Sequence, residues 1–185
     1  MKRTIVLLSL FLIFGCSSID TQKANNGFTQ KCLGNTEIDS EFRDQFIEIE
    51  DNSLLNLALG SPNEGKLCWG KVYIAKQNSN ILIYRAWNST NPNSQMGQWW
   101  AFSKPTGLIS TYRYNYEICY QWSPLDKLVY GRLKPGTKIV VGTGQSAKCS
   151  DYLTYPISDE KQIFIKDASK SIENPQVYDL IFKWQ

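Results

Sequence analysis

The residues 66 to 87 read Lys66-Leu67-Cys68-Trp69-Gly70-Lys71-Val72-Tyr73-Ile74-Ala75-Lys76-Gln77, then Asn78-Ser79, then Asn80-Ile81-Leu82-Ile83-Tyr84-Arg85-Ala86-Trp87. Both runs are rich in Val, Ile, Tyr and Trp, the side chains that fit a pleated and half-buried surface, and a short polar break divides them in the manner of a turn. The stretch predicts two strands paired as a hairpin. Toward the C-terminus a polar loop, Asn88 to Gln95, precedes a further candidate strand, Gly97-Gln98-Trp99-Trp100-Ala101-Phe102, which Pro105 and Gly107 end. Ile109 to Trp122 carries Tyr112, Tyr116, Cys119 and Tyr120 at helical spacing and is assigned to a helix. Leu128 to Leu133 and Thr137 to Val141 read as strands around a Lys134-Pro135-Gly136 turn, with Gln162 to Lys166 and Val177 to Lys183 as the last two. Toward the N-terminus, Phe42, Phe46, Ile47, Ile49, Leu54, Leu55, Leu57 and Leu59 lie between a cap at Asp39 or Ser40 and a stop at Gly60-Ser61-Pro62, which predicts one or two short helices. The fold class that results is α+β: a mostly antiparallel, twisted sheet with short N-terminal helices, stabilised by disulfides.

The whole chain has 185 residues, with Lys+Arg 20, Asp+Glu 17 and no His, a formal charge of +3 that includes Lys2 and Arg3 at the very start. With 42% hydrophobic and 20% charged residues the composition is that of a folded domain rather than a disordered chain or a coiled coil. A charge so near zero offers no counterion-release argument for binding nucleic acid. Without His, Ser-His-Asp and Cys-His catalysis, HExxH zinc chemistry and a His-based pH switch are all excluded. Any chemistry must use carboxylates, amides, hydroxyls, Arg or Lys.

Ahead of the domain, Ile5 to Phe14 is an apolar run behind a basic start. Spanning a bilayer takes about 20 apolar residues, whereas an export signal needs only about 7–15. The segment therefore reads as a signal peptide. Its end, Ile13-Phe14-Gly15-Cys16, resembles the lipobox of bacterial lipoproteins, with Phe14 where a small residue is usual. The resemblance implies that Cys16 becomes the acylated first residue of the mature chain and holds the domain to a membrane; two or three acyl chains anchor stably where one binds reversibly. Ser17 next to that cysteine implies the outer membrane, with the domain facing the periplasm. The expected organisation is a signal peptide over 1–15, a polar lipidated tether over 16–31, and a single globular domain over 32–185.

Setting Cys16 aside leaves Cys32, Cys68, Cys119 and Cys149, an even number in an exported chain, which points to two disulfides. Of the three connectivities available, Cys32–Cys68 with Cys119–Cys149 is favoured because each joins segments expected to lie close. Zinc is the competing use, but no CxxC pair and no His is present, and no metal is expected. Gly142-Thr143-Gly144 after a β-branched run lacks the third glycine of a dinucleotide loop and reads as a tight turn. The many Trp and Tyr residues are read mainly as core, although strand alternation sends Trp99 and Trp100 to opposite faces, so that one of them is free to line a cleft.

In chain order, Tyr84-Arg85, Gly97-Gln98-Trp99-Trp100, Pro105, Tyr112-Arg113, Trp122, Leu133-Lys134-Pro135-Gly136-Thr137, Val141-Gly142 and Gln162-Ile163-Phe164-Ile165 resemble the necrotizing-toxin type of NAD glycohydrolase domain, within the wider ADP-ribosyltransferase-like fold. The resemblance implies that Arg85 contacts the diphosphate of NAD, with Trp100 on the neighbouring Gly-aromatic strand, and that Gln162 stands at the scissile nicotinamide–ribose bond. The family carries a Gly run before its Gln and a His in its site; this chain has neither. NAD would be a substrate and no cofactor is implied. Breaking that bond creates an oxocarbenium-like ribose, which calls for a nearby negative group, and Glu160, two residues from Gln162 and on the same face of one strand, is the expected source. The other expected class of function is a non-catalytic envelope lipoprotein whose aromatic surface meets a glycan or another envelope protein.

Overall fold

The computed structural model describes residues 31–179. In chain order these form β1 (Phe46–Ile49), α1 (Asn52–Ala58), β2 (Leu67–Ala75), β3 (Ile81–Trp87), β4 (Trp99–Trp100) and α2 (Ile109–Asn115). There follow β5 (Lys127–Leu133), β6 (Lys138–Gly144), β7 (Ala147–Lys148), β8 (Thr154–Tyr155), β9 (Lys161–Phe164), α3 (Ala168–Ser171) and β10 (Ile172–Asp179). A five-stranded sheet has the order β1-β2-β6-β9-β4, a three-stranded sheet the order β10-β5-β3, and β7 pairs with β8. Every one of these pairings is antiparallel, so the fold is α+β with short helices and a mostly antiparallel sheet. Both disulfides have the favoured pairing, Cys32–Cys68 with Cα atoms 5.7 Å apart and Cys119–Cys149 at 5.2 Å. All four cysteines of the domain are thus engaged, and none is left as a metal ligand.

Strands β2 and β3 form where the β-rich runs predict them, but they do not pair as a hairpin. β2 lies between β1 and β6, while β3 lies beside β5 in the other sheet. The turn between them, closed by the Ser79 amide on the Lys76 carbonyl at 3.1 Å, carries the chain from one sheet to the other. Tyr73 and Ala75 of β2 meet Ile81 and Ile83 of β3 across one buried cluster instead of side by side. The turn at Lys134, closed by the Thr137 amide at 3.2 Å, makes the same crossing between β5 and β6. Two packed layers bury both apolar faces, which one exposed hairpin could not do.

The N-terminal region also differs from expectation. Phe46–Ile49 pairs with β2 as a strand, and only Asn52–Ala58 is α-helical, beginning at Asp51, whose side chain accepts the Leu54 amide at 3.0 Å. That is an ordinary N-cap. Leu54 and Ala58 bury the helix against Leu67, Val72 and Val140 on one side of the five-stranded sheet, and the three-stranded sheet covers the other. Gly142-Thr143-Gly144 is no turn: it is the paired end of β6, and residue 142 is glycine where the β2 backbone approaches too closely for any side chain. The helix expected over 109–122 stops at Asn115. Among the described residues no helix is long and apolar enough to cross a membrane. The signal segment, Cys16 and most of the tether lie outside the described residues.

Candidate functional site

Among the described residues one backbone bridge joins the two sheets: Tyr84 of β3 and Ala101, just after β4, exchange both backbone hydrogen bonds at 2.9 Å. Beyond that bridge the strands part. The Trp99 carbonyl, which a continued ladder would offer to Ala86, accepts instead from Nη1 of Arg85 at 2.7 Å, and Nε of the same guanidinium donates to the Ser94 carbonyl at 2.9 Å. Gly97 has to be glycine, since a Cβ there would overlap the guanidinium. Along β3 the alternation that turns Ile81 and Ile83 inward turns Arg85 inward too. Burial pulls its pKa down to about 10, and among the described residues no carboxylate forms an ion pair with it. Arg85 is therefore a desolvated cation held by two main-chain carbonyls and still short of an anion.

The other decisive residue is Glu117. α2 is capped by Tyr116, whose amide donates to the Tyr112 carbonyl, and the Ile118 amide then donates to the Arg113 carbonyl at 2.9 Å. This pattern closes a helix with a left-handed residue, a position normally taken by Gly or Asn. Here it is Glu117, with φ 47°, a conformation that costs a side-chain-bearing residue roughly 1–2 kcal/mol. The turn drives the carboxyl into the protein, where it is only 2% exposed and rests on Gly144, whose missing side chain makes the room. Nε2 of Gln162 donates to its Oε2 at 2.8 Å, whereas Oε1 is buried and accepts no hydrogen bond among the described residues. Burial pushes the pKa up to about 8; Ser158 and Gln162 oppose that shift, and Glu160 adds to it.

Arg85, Trp100, Glu117 and Gln162 line one cavity, whose other walls include Tyr112, Tyr116 and Trp122. Its volume is about 180 Å³. A dry cavity of about 150 Å³ holds benzene, whereas pockets for drug-sized ligands begin at about 300 Å³, so this one suits a single ring. Exposed Lys66 and Trp122 line it on the solvent side. Trp100 is buried, with its Nε1 donating to the Gly97 carbonyl at 2.7 Å, while Trp99 packs against Phe164 on the opposite face, as alternation requires.

Of the residues singled out by sequence, the structure thus brings together Arg85, Trp100 and Gln162. It does not bring Glu160 with them. That residue precedes β9 by one position, accepts from Asn115 Nδ2 at 3.3 Å, and lines a separate depression with Asp39, Asp159 and Lys161. Glu117 occupies the place beside Gln162 that sequence reasoning gave to Glu160. The one signal for it was a lone acid in the aromatic run Tyr112-Arg113-Tyr114-Asn115-Tyr116-Glu117. No family model, curated protein or solved structure matches this chain.

Proposed function

We propose that this protein is a lipid-anchored envelope domain, held through Cys16 and facing the periplasm of the outer membrane, that binds NAD and cleaves its nicotinamide–ribose bond. One observation carries the reading: Arg85 and Gln162, distant in sequence and on different sheets, line the same aromatic cavity. A cavity of that size suits the nicotinamide ring, stacked among Tyr and Trp walls, and would leave the ribose and diphosphate outside it toward Lys66. Arg85, whose Nε and Nη1 are held by the Ser94 and Trp99 carbonyls, contributes a fixed positive charge at the cavity wall that favours an anionic ligand, not a free two-pronged grip on it. The Gln162 amide donates to Glu117 and so keeps its oxygen as an acceptor for the ribose. In the reaction the C–N bond to the ribose breaks, its electron pair leaves with neutral nicotinamide, and water adds to the oxocarbenium carbon, releasing ADP-ribose and a proton. The dipole of the Gln162 carbonyl, directed at the developing cation, lowers that barrier.

The test is nicotinamide release from NAD by the full-length protein in detergent. We expect release that falls on the order of 100-fold in Gln162→Ala, the usual effect of removing one group that stabilises a transition state. No release and no binding of NAD would leave a non-catalytic binding lipoprotein that meets a glycan or another envelope protein.

A further inference from the structure

Glu117 has no business in a left-handed, buried position on stability grounds. Gly or Asn would close α2 without strain, and a side chain without a carboxyl would leave no orphaned oxygen. Backbone strain and an unpaired buried acceptor at the same residue, in the wall of a cavity, are the combination in which fold stability has been given up for a site. The charges around it fix its state. On its own helix stand Tyr112 and Tyr116, both phenols held neutral by burial. From the loop before β9 comes Glu160, whose charge repels a second one. Arg85 and Lys66 line the same cavity, but neither forms an ion pair with Glu117. β6 offers only Gly144, β9 the neutral amide of Gln162, and the loop before β9 the hydroxyl of Ser158, whose own proton goes to the Asn115 carbonyl at 2.7 Å.

We propose that Glu117 works as a neutral carboxylic acid whose Oε1–H donates a hydrogen bond to an acceptor on an uncharged, planar, single-ring ligand, such as the carbonyl of a ring carboxamide. The position of the proton follows from the contacts. Oε2 accepts from Gln162 and is the carbonyl oxygen of the acid, so the hydroxyl is Oε1, which accepts no hydrogen bond among the described residues; the nearby Ser158 hydroxyl gives its proton to the Asn115 carbonyl at 2.7 Å instead. An empty cavity offers that donor no acceptor better than the Ser158 hydroxyl, and a ring with a carbonyl at its edge supplies a stronger one while stacking on the aromatic walls. The inference rests on reading the cavity as the ring's site, but it requires no bond cleavage.

Its consequence is a ligand affinity with a definite pH dependence. A carboxylate cannot donate, so binding is full where the acid holds its proton and fails as the proton is lost, near pH 8 given where burial puts this group. The probe is nicotinamide, uncharged throughout the range, titrated calorimetrically into the full-length protein in detergent between pH 6 and pH 9. We expect affinity to be flat to pH 7 and about tenfold weaker at pH 9. Glu117→Gln keeps a donor that does not titrate, so it should bind at both extremes with little change between them. Glu117→Ala should bind weakly at every pH, with circular dichroism confirming that it folds. Binding by the parent protein that is absent, or that is equally tight at pH 6 and pH 9, overturns the proposal, as does a pH dependence that survives in Glu117→Gln. Failure here is separable from failure of the enzymatic reading: pH-dependent nicotinamide binding without NAD cleavage removes only the activity, and cleavage with pH-flat binding removes only this role of Glu117.

Discussion

The two halves of β6 are neighbours in sequence and opposites in chemistry. Ile139, Val140 and Val141 are fully buried, and every contact cluster they enter is apolar. Three residues further on, Gly144 faces a buried carboxyl, and Thr143 is tied by its hydroxyl to the Leu33 carbonyl at 2.7 Å and to Trp69 Nε1 at 2.8 Å. The first half is built to exclude water and fit closely; the second gives up side-chain volume so that a polar group can enter. Stability and the site are therefore drawn from different ends of one strand, and the two can be perturbed separately.

The largest expected effect comes from the apolar half. Ile139→Ala leaves a void in the main cluster and should cost about 4 kcal/mol in urea unfolding, while the protein that remains folded still binds nicotinamide with unchanged affinity. A loss of affinity in the folded fraction would mean that the two halves are coupled. Next is the Cys119–Cys149 disulfide, which fixes the chain two residues beyond Glu117. Replacing both cysteines by Ser should cost about 3 kcal/mol. Unlike Ile139→Ala, it should also weaken nicotinamide binding, because the Glu117 turn loses its anchor.

Glu117→Gln then reads the polar half alone. Its carboxyl has a higher pKa in the folded protein than the ordinary value of 4.5, so the native state binds the proton more tightly than the unfolded chain. The stability this group allows is complete below about pH 4.5, declines as the pH rises toward about 8, and is level beyond. The melting temperature of the parent protein should fall through that window relative to Glu117→Gln, whose amide does not titrate. Parallel curves for the two proteins would show that the carboxyl is ionised in the native state.

The same division decides what could be read in advance. β2, β3, β5 and β6 were legible because strings of Val, Ile and Tyr are local signals. Which strand pairs with which was not: a period-two pattern is equally content beside β3 or across the core from it, and only the Tyr84–Ala101 bridge settles how the layers meet. Phe46–Ile49 was hidden because Phe42, Phe46 and Ile49 also suit helical spacing. The disulfides were legible from the parity of the cysteines and the expected closeness of the segments. Arg85 and Gln162 stood out through a resemblance, whereas Glu117 could not, since its burial depends on Gly144 and Gln162, which no local pattern links to it.

The outer face of the three-stranded sheet supplies the smallest effect and tests whether the aromatic content was read correctly as core. Tyr84, Tyr130 and Tyr178 form a ladder there, with ring centroids 5.8 Å and 5.4 Å apart and the last two rings nearly parallel at 8°. The hydroxyls of Tyr130 and Tyr178 are 3.2 Å apart, and Tyr178 is half exposed. Rings placed so save little apolar surface from water, unlike Trp87 and Trp100, which are buried between the sheets. Tyr178→Ala should therefore cost under about 1 kcal/mol, the usual scale for a cross-strand pair on a solvated face. It should leave nicotinamide affinity and its pH dependence untouched, because the ladder lies on the far side of β3 from the inward-turned Arg85. A cost above about 2 kcal/mol would be the scale of a fully buried side chain and would mean that this face is covered in solution.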